Sequence, residues 1–467
     1  MRCNRLWLAL AITVSLAVTA AAIPGSAQDA PAGSGGAQTA PSELPTLSLD
    51  EAIALAMEHN PQVGAAAQGV NLAKGNLTQA LSYVQPRLDM TTIRSTPVGI
   101  SSFFQSAGTT WETDFSLSQL IYTGGALSSA VKAADEYLKG AEGGSERTRQ
   151  EIAFAVRQSY YRVLTAQEQV KVSEEVVSSA EEHLRVAKLR YEAGVAPQFD
   201  VLAADANVAR VEQGLIAAQA DLSIGWEALS TVLGVRVSDQ TRLTTPPAAE
   251  VPEVDPEGLK TEALSGRSDL LAVKASVSAG AALLSVARSA RQPTVSASVS
   301  YGLRPKTTIS GDVLGAPGTE LVVSQNSGEV AVVANWSLFN GGQVTGGIRA
   351  AEAQLHQAEK NLETLQLQVQ LDVMSAYLML RSAASQVKAA QKEVDQANEA
   401  HRIAVLRYQE GVSTSVEVLD AEASLGGAKT RLNSAIYGLN LAVASLDLAA
   451  GRQWAPAGQS SVPASEK

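Results

Sequence analysis

The stretch RYEAGVAPQFDVLAA, from Arg190 to Ala204, returns 217 residues later as RYQEGVSTSVEVLDA, from Arg407 to Ala421. At the same offset, the segment IYTGG at 121–125 returns as LFNGG at 338–342. Two copies of one order of motifs indicate an internal duplication, and a duplication decides the fold class before any single element does. The chain is therefore predicted to use one structural unit of about 200 residues twice.

The spacing within the two copies is not uniform. Gln85-Pro86 returns as Gln292-Pro293, which is 207 residues later, so ten extra residues lie between Pro293 and Leu338 in the second copy. The predicted organisation is a signal peptide at 1–27, a disordered N-terminal arm at 28–45, a first structural repeat at 46–235, a connector at the equatorial region at 236–254, a second structural repeat at 255–451 and a C-terminal tail at 452–467.

Composition narrows the class of protein. The net charge is −11, which argues against a nucleic-acid-binding surface. Only 4% of the residues are aromatic, so the core is expected to consist mainly of small and aliphatic side chains. Such side chains suit closely packed helices better than a wide globular core.

The N-terminal segment predicts export from the cytoplasm. Two arginines precede an apolar run from Leu6 to Ala22, and small residues follow up to Ala27, which is typical of a secretory signal peptide. Cleavage after Ala27 is expected, with Ala22 as the alternative site and an uncleaved anchor helix as the competing interpretation. The only cysteine, Cys3, lies inside this segment. No other apolar stretch is expected to reach the roughly 18 residues of a membrane-spanning helix.

Two very long helices are predicted. The segment 150–191 contains neither proline nor glycine, and its apolar and small residues alternate at spacings of four and three, as in a coiled-coil seam. The same seam recurs 217 residues later. Extended back to the Gly-Gly pairs at 124–125 and 341–342, each helix has nearly 70 residues and is roughly 100 Å long. Glycines at 143–144 permit a break in the first one.

Shorter helices are predicted before and after the long ones. Gly194 and Gly411 are expected to end the long helices in a left-handed conformation. New helices follow at 198–235 and 415–450. Single helices are expected at 48–80, opening with the capping box from Ser48 to Glu51, and at 256–290, opening with Asp255-Pro256.

Four strands lie between the early and the long helices. In the second repeat, Val295, Ala297, Val299 and Tyr301 alternate with Ser and Thr residues, and 330–334 continues the pattern. In the first repeat, residues near 88–90 and 115–121 do so more weakly. Loops are predicted at 96–111 and 305–328.

Each predicted strand has about 10 residues, the length that crosses a bilayer when the strand is tilted. Strands in lipid leave no edge unpaired, so they must close into a barrel. Four strands are too few, so the chain is expected to oligomerise. A homotrimer gives 12 strands and room for a channel, whereas a dimer gives eight and a lumen filled by side chains.

The paired tip motifs, the two Gly-Gly turns, the two Gln-Pro strand entries and the opening LSLDEAIALAMEHNP at 47–61 together resemble the TolC-like outer-membrane efflux proteins. The resemblance covers about Leu47 to Gly451. It implies a mainly α fold with a membrane β-barrel: a trimeric 12-stranded barrel in the outer membrane, continuous with a periplasmic α-helical coiled-coil barrel. It also implies an efflux or type I secretion channel whose partners are an inner-membrane transporter, a periplasmic adaptor protein and outer-membrane lipid.

The resemblance further implies which residues act at the helix tips. Acidic residues in a threefold assembly would form rings of like charge that favour cations. Ser413 stands where some members have a basic residue that forms a second gate link. The implied adaptor-docking tips are Gly194, Val195, Gly411 and Val412, and the implied periplasmic gate consists of Asp200, Tyr408, Glu417 and Asp420.

Other interpretations stay open at this point. Gly194 and Gly411 are explained as helix ends without any docking role, and Glu417 and Asp420 as acids favoured at a helix start. A periplasmic coiled-coil adaptor or structural protein without membrane strands explains the helices but not the strands. An envelope hydrolase is disfavoured, because no catalytic motif and no pair of histidines at metal-ligand spacing is present. We therefore expect no enzymatic activity, cofactor, metal or nucleic acid.

Overall fold

The computed structural model describes residues 46–96, 110–245, 255–304, 307–313, 316–323 and 326–452. The predicted signal peptide and N-terminal arm lie outside the described residues, as do part of the connector and nearly all of the tail. In the first repeat the elements are β1 (Thr46–Leu47), α1 (Leu49–His59), α2 (Pro61–Ser82), β2 (Arg87–Ser95), β3 (Thr110–Tyr122), α3 (Ala126–Glu192) and α4 (Gln198–Leu233). After β4 (Arg242–Leu243) come α5 (Pro256–Gly266), α6 (Ser268–Ser289), β5 (Thr294–Leu303), β6 (Thr307–Val313), β7 (Ala316–Val323), β8 (Ser327–Asn335), α7 (Gln343–Gln409) and α8 (Ser415–Ala450).

The two long helices, α3 and α7, each have 67 residues, as the coiled-coil seam predicted. At 1.5 Å per residue each is roughly 100 Å long. The break that Gly143 permitted does not occur. A Cβ atom at Gly143 would lie 2.8 Å from the carbonyl oxygen of Ser268. This glycine therefore lets α6 pack closely on α3 and does not interrupt the helix.

The single helices predicted at 48–80 and 256–290 are each two helices. Asn60 ends α1 with extended backbone and caps α2, and Pro61 follows at the first helical position. Arg267 likewise ends α5 with extended backbone before α6, but its side chain does not cap α6 and no proline follows it.

A glycine from a distant part of the chain lies against each break, and in the first repeat Pro61 also ends α1 locally. Gly234 ends α4 with φ +76°, and a Cβ atom there would lie 2.5 Å from the carbonyl oxygen of His59. Gly451 ends α8 with φ +75°, and a Cβ atom there would lie 2.7 Å from Cγ of Arg267. Each helix end thus packs into the interruption of the early helix in its own repeat.

Each repeat has its own hydrophobic core. In the first repeat, buried residues of α1 meet the middle of α3 and the end of α4. In the second, α5 and the start of α6 meet α7 and the end of α8. The large side chains that are fully buried are Ile53, Val156, Tyr160, Val163, Leu229 and Leu233 in the first core and Leu270, Val369, Val373, Leu380 and Leu446 in the second.

A four-stranded antiparallel sheet joins the repeats in the order β2-β3-β5-β8. The register aligns Leu88, Leu117, Val299 and Val330 in one row across the four strands. These four side chains are between 43% and 77% exposed. The adjacent row on the other face is polar and consists of Asp89, Ser116, Ser300 and Glu329. One face of the sheet is therefore apolar and uncovered within this chain.

Three further features differ from the sequence-based expectation. The segment predicted as a loop at 305–328 contains the antiparallel hairpin β6–β7, which accommodates the ten extra residues of the second repeat. Strands β1 and β4 form a short parallel pair that was not predicted. By length and composition, α6 is apolar enough to cross a membrane, contrary to our expectation. Its buried residues are mostly apolar and small, and it packs on α3 and α7.

Candidate functional site

The two tip turns, at 193–197 and 410–414, adopt the same backbone structure. Gly194 has φ +74° and Gly411 has φ +77°, so both lie in the left-handed region that favours glycine. The amide of Val195 donates to the carbonyl oxygen of Arg190 at 3.0 Å, and the amide of Val412 donates to that of Arg407 at 3.0 Å. These bonds close each long helix in the manner of a Schellman motif.

Apolar side chains around both turns are exposed. Val195 and Val412, which occupy equivalent positions, are each 66% exposed. We call the exposed apolar residues at these turns the tip surface, and it consists of Leu189, Val195, Phe199, Leu202, Leu406, Val412 and Val416. The docking role that the resemblance implies for these turns stays a prediction.

Tyr408 is buried where the first helical hairpin, α3–α4, meets the second, α7–α8. Its side chain is only 3% exposed. The guanidinium carbon of Arg190 lies 4.8 Å from the centroid of the Tyr408 ring, in a cation–π arrangement. Nη1 of Arg190 also donates to the carbonyl oxygens of Tyr408 at 2.6 Å and of Gln409 at 3.0 Å. Arg190 therefore fastens the end of α7 to α3.

The predicted gate partner of Tyr408, Asp200, lies close enough to act on it electrostatically. Burial raises the pKa of the Tyr408 hydroxyl, the Asp200 carboxylate raises it further, and Arg190 and Ser415 oppose both. Among the described residues of this single chain, no hydrogen bond of acceptable geometry reaches the Tyr408 hydroxyl. The structure thus brings the two residues together without joining them.

The two predicted acids of the gate are on the first turns of α8, and both are exposed. Oγ of Ser413 donates to Oε2 of Glu417 at 2.8 Å, and Nη1 of Arg407 lies 3.6 Å from the same oxygen. Ser413 thus orients Glu417 within its own turn. Asp420 is one helical turn further along α8.

The sequence analysis missed His183 and Ser415. His183 is 8% exposed and Ser415 is 1% exposed, and Nε2 of His183 lies 2.8 Å from Oγ of Ser415. The centroid of the His183 ring is 5.1 Å from that of Tyr408. The repeat offered a signal, because the position equivalent to His183 in the second copy is Ala400. A histidine that replaces alanine on a packed helix marks a place where the two copies differ.

Comparison with known proteins identifies the class of this chain. The sequence profile described as outer membrane efflux protein matches residues 52–235 and 259–452, that is, both repeats. The outer membrane efflux protein BepC of Brucella suis is 23% identical over 385 residues, which cover 81% of this chain and 79% of BepC. The outer membrane protein TolC of Vibrio cholerae is 25% identical over 375 residues, which cover 79% of this chain and 83% of TolC.

The solved structures agree with the sequence relatives on the fold. The crystal structure of the Campylobacter jejuni CmeC outer membrane channel superposes with a TM-score of 0.74 at 18% identity, covering 86% of this chain and 85% of that chain.

The chain belongs to the outer membrane efflux protein family. It is an outer-membrane efflux channel with a large periplasmic portion, as the resemblance implied. The family favours this function over the periplasmic coiled-coil protein without membrane strands. The site residues at the tips stay predictions.

Proposed function

We propose that three copies of this chain form one continuous duct, which receives its cargo from an inner-membrane transporter through a periplasmic adaptor protein. The duct conducts passively and catalyses no reaction. Its upper part is a 12-stranded barrel in the outer membrane, and its lower part is a tube of helices that spans the periplasm. The helix tips carry both the adaptor-docking surface and the gate.

The observation that carries this proposal is the four-stranded sheet. Within the described strands, β2 and β8 are the two ends of the sheet, so each presents one edge without a strand partner. The same sheet exposes an apolar row from Leu88 to Val330. An apolar face suits lipid, but unpaired backbone edges do not, since each unsatisfied group in hydrocarbon costs several kcal/mol. Pairing β8 of one copy with β2 of the next removes both edges, and three copies close the ring.

Strand length supports the same assignment. The four strands have between 9 and 13 residues. A tilted strand of roughly 9–11 residues crosses the hydrocarbon core of a bilayer. The opposite face of the sheet carries Asp89, Ser116, Ser300 and Glu329, which suits the water-filled lumen of a channel.

The helix tips supply the adaptor-docking surface and the gate. Gly194, Val195, Gly411 and Val412 form two similar exposed turns, so one adaptor element fits both. Asp200, Tyr408, Glu417 and Asp420 lie just behind these turns, where the second hairpin meets the first. Both acids on α8 are exposed, so three copies present rings of negative charge at the mouth, and such rings favour cations.

Cross-linking of the sheet edges tests the closed ring. The variant with Thr91→Cys on β2 and Ala331→Cys on β8 is treated with a bis-maleimide in outer membranes. We expect covalent species of two and three chains and none larger, because the ring closes at three. The absence of any intermolecular product, or a ladder beyond three chains, would contradict the proposal.

The matched control places the cysteines inside the sheet. Ser116 on β3 and Ser300 on β5 are direct partners within one chain. The double variant Ser116→Cys with Ser300→Cys is therefore expected to cross-link only within each chain and to migrate as a single copy.

A further inference from the structure

His183 connects the two helical hairpins next to the gate residues. It lies on α3, in the first hairpin, and its Nε2 is 2.8 Å from Oγ of Ser415, the first residue of α8 in the second hairpin. Its ring also packs against that of Tyr408, with the centroids 5.1 Å apart. One buried side chain thus contacts both the end of α7 and the start of α8.

The residues at the equivalent positions of the other repeat cannot make this contact. The residues equivalent to His183 and Ser415 in the other repeat are Ala400 and Gln198. Alanine has no polar atom in its side chain, so the reciprocal hydrogen bond cannot form. The pair therefore joins the start of α8 to α3, whereas Gln198 and Ala400 cannot join the start of α4 to α7 in the same way.

Charged and titratable groups surround the imidazole from every element packed on it. Burial lowers the pKa of His183, the Asp200 carboxylate on α4 opposes this, and His401 on α7 adds to it. Tyr408 is in contact, with Arg190 of the same helix α3 stacked on its ring. Glu422 on α8 is 4% exposed and interacts with His401. On the exposed face of α3, Glu182 and Arg185 pair with each other.

We propose that His183 is a positioning residue of the gate: the neutral imidazole holds Ser415 and Tyr408 against the first hairpin, and protonation of the imidazole releases them. Acid then favours the open channel. This inference rests on the proposed function, because it assigns the tied arrangement to the closed gate.

The environment of the His183 ring explains why a lower pH favours the open channel. A charged imidazolium buried between the hairpins loses hydration, and this loss outweighs the attraction of the Asp200 carboxylate, so the imidazolium gains by separating the hairpins and reaching water. In the open channel the pKa of a hydrated histidine is about 6.5, and in the tied arrangement it is lower. The stability that neutral His183 gives to the closed state is therefore complete above this value and is lost as the pH falls through it.

Protonation of Glu422 has the opposite effect on the gate, so its contribution must be distinguished from that of His183. Burial raises the pKa of Glu422, so its protonation favours the buried, tied arrangement. The variant Glu422→Gln removes this contribution while keeping the shape of the side chain.

Conductance in planar lipid bilayers between pH 7.5 and pH 5.5 tests the proposal. We expect the open fraction of the natural channel to rise several-fold as the pH falls, and that of His183→Gln to be independent of pH over this range. Glu422→Gln and His401→Gln are expected to keep the rise. His356→Gln is the matched control, because His356 lies on α7 with an exposed side chain paired to Glu359.

Ser415→Ala supplies a second test from the other partner. Loss of the hydrogen bond is expected to increase the open-to-closed ratio about fivefold at pH 7.5, because a net hydrogen bond is worth about that factor. The proposal is overturned if His183→Gln keeps the natural pH response, if His401→Gln alone abolishes it, or if Ser415→Ala behaves as the natural channel. A protein that conducts at no pH would instead overturn the duct itself.

Discussion

Tyr191 and Tyr408 occupy the same position in the two repeats, yet Tyr191 is 46% exposed and Tyr408 is 3% exposed. The two long helices that carry them have identical lengths and end in the same kind of glycine turn. Their surroundings differ because α3 presents Arg190 and His183 to the second tyrosine, whereas Tyr191 has no such neighbours among the described residues. Duplication thus preserved the framework, and the tip of the second hairpin acquired contacts that the first one lacks.

The junctions beside the early helices show the same divergence. In the first repeat, Asn60 donates from Nδ2 to the carbonyl oxygen of Val232 at 2.7 Å. In the second, Arg267 occupies the equivalent place and donates to the carbonyl oxygen of Ala449 at 3.4 Å. Arg267 also pairs with Asp269 at 2.6 Å and with Asp372 at 3.1 Å. A neutral contact in one repeat is therefore a buried charged network in the other.

Removal of the buried cation is expected to have the largest effect on stability. Arg267 is 3% exposed, so Arg267→Ala removes a buried cation that two carboxylates and a carbonyl share, and the carboxylates keep only their hydrogen bonds to Leu270 and Gln368 and a distant Arg147. Breaking a buried ion pair in this way costs roughly 3–5 kcal/mol. Asn60→Ala removes one hydrogen bond and a helix cap and is expected to cost about 1–2 kcal/mol. Inactivation half-lives of the detergent-solubilised variants at elevated temperature compare the two.

A change of pH tests whether the Arg267–Asp269 ion pair causes this loss of stability. Burial alone would raise the pKa of Asp269, but the hydrogen bond and charge of Arg267 outweigh burial and lower it. The stability gained from this lowered pKa is present above the ordinary aspartate value and is lost as the pH falls through the folded-state pKa. The difference between the natural protein and Arg267→Ala is therefore expected to shrink below about pH 4. Equal losses for Arg267→Ala and Asn60→Ala at neutral pH would contradict the comparison.

The two tip turns are expected to be the next most sensitive sites. Valine at Gly194 or Gly411 forces a β-branched residue into a left-handed conformation, which costs about 1–2 kcal/mol. Both variants are expected to lose most of their binding to the adaptor, measured by pull-down from membranes. Asparagine tolerates this conformation, so Gly194→Asn and Gly411→Asn are the matched controls and are expected to bind. Full adaptor binding by both valine variants would remove the docking assignment.

The gate pair is expected to show that the tyrosines at equivalent positions of the two repeats differ in function. The gate assignment requires the closed channel to join Asp200 to the Tyr408 hydroxyl, which has no hydrogen-bond partner among the described residues of the single chain. Tyr408→Phe combined with Asp200→Ala is then expected to increase the open fraction about fivefold, the worth of one net hydrogen bond. Tyr191→Phe changes the equivalent, exposed tyrosine and is expected to leave conductance unaltered. The measurement is conductance in planar bilayers at pH 7.5. If the double variant conducts as the natural channel does, the gate assignment is wrong.

Charge at the mouth is expected to give the smallest effect. The first repeat carries Asp200 and Ala203 where the second carries Glu417 and Asp420. Glu417→Gln with Asp420→Asn is expected to lower the cation-to-anion permeability ratio by less than about fivefold, because salt at 0.1 M screens exposed charges beyond roughly 10 Å. Reversal potentials in a salt gradient measure this ratio, and Ala203→Asp is expected to increase it. An unchanged ratio in the double variant would exclude these acids from the conduction path.

The sequence predicted the framework well, because periodicity and glycine ends are local signals. The heptad seam on α3 and α7 and the left-handed glycines at 194 and 411 needed no tertiary information. The break at Asn60 was missed although Pro61 indicates it locally, because proline ends a helix at the residue before it. The break at Arg267 has no proline, and there the end of α8 at Gly451 arrives from a distant part of the chain. The hairpin β6–β7 was assigned to a loop because Gly, Ser and Thr dominate its surroundings.

The candidate site was only partly predictable for the same reason. Its glycines and acids were found from the resemblance, whereas the contacts that bury Tyr408 depend on how two hairpins meet. His183 and Ser415 are 232 residues apart in the chain. Ser415 lies within the second tip motif, but His183 lies outside the first, so the motifs did not indicate the pair. The difference between His183 and its counterpart Ala400 was the one available signal.

The mass of the protein extracted from outer membranes in detergent, measured by native mass spectrometry, tests the shared sheet most directly. Three copies per particle, stable to dilution, are predicted, because only a ring gives every edge of β2 and β8 a partner. A stable particle of one copy that needs no detergent would contradict the account.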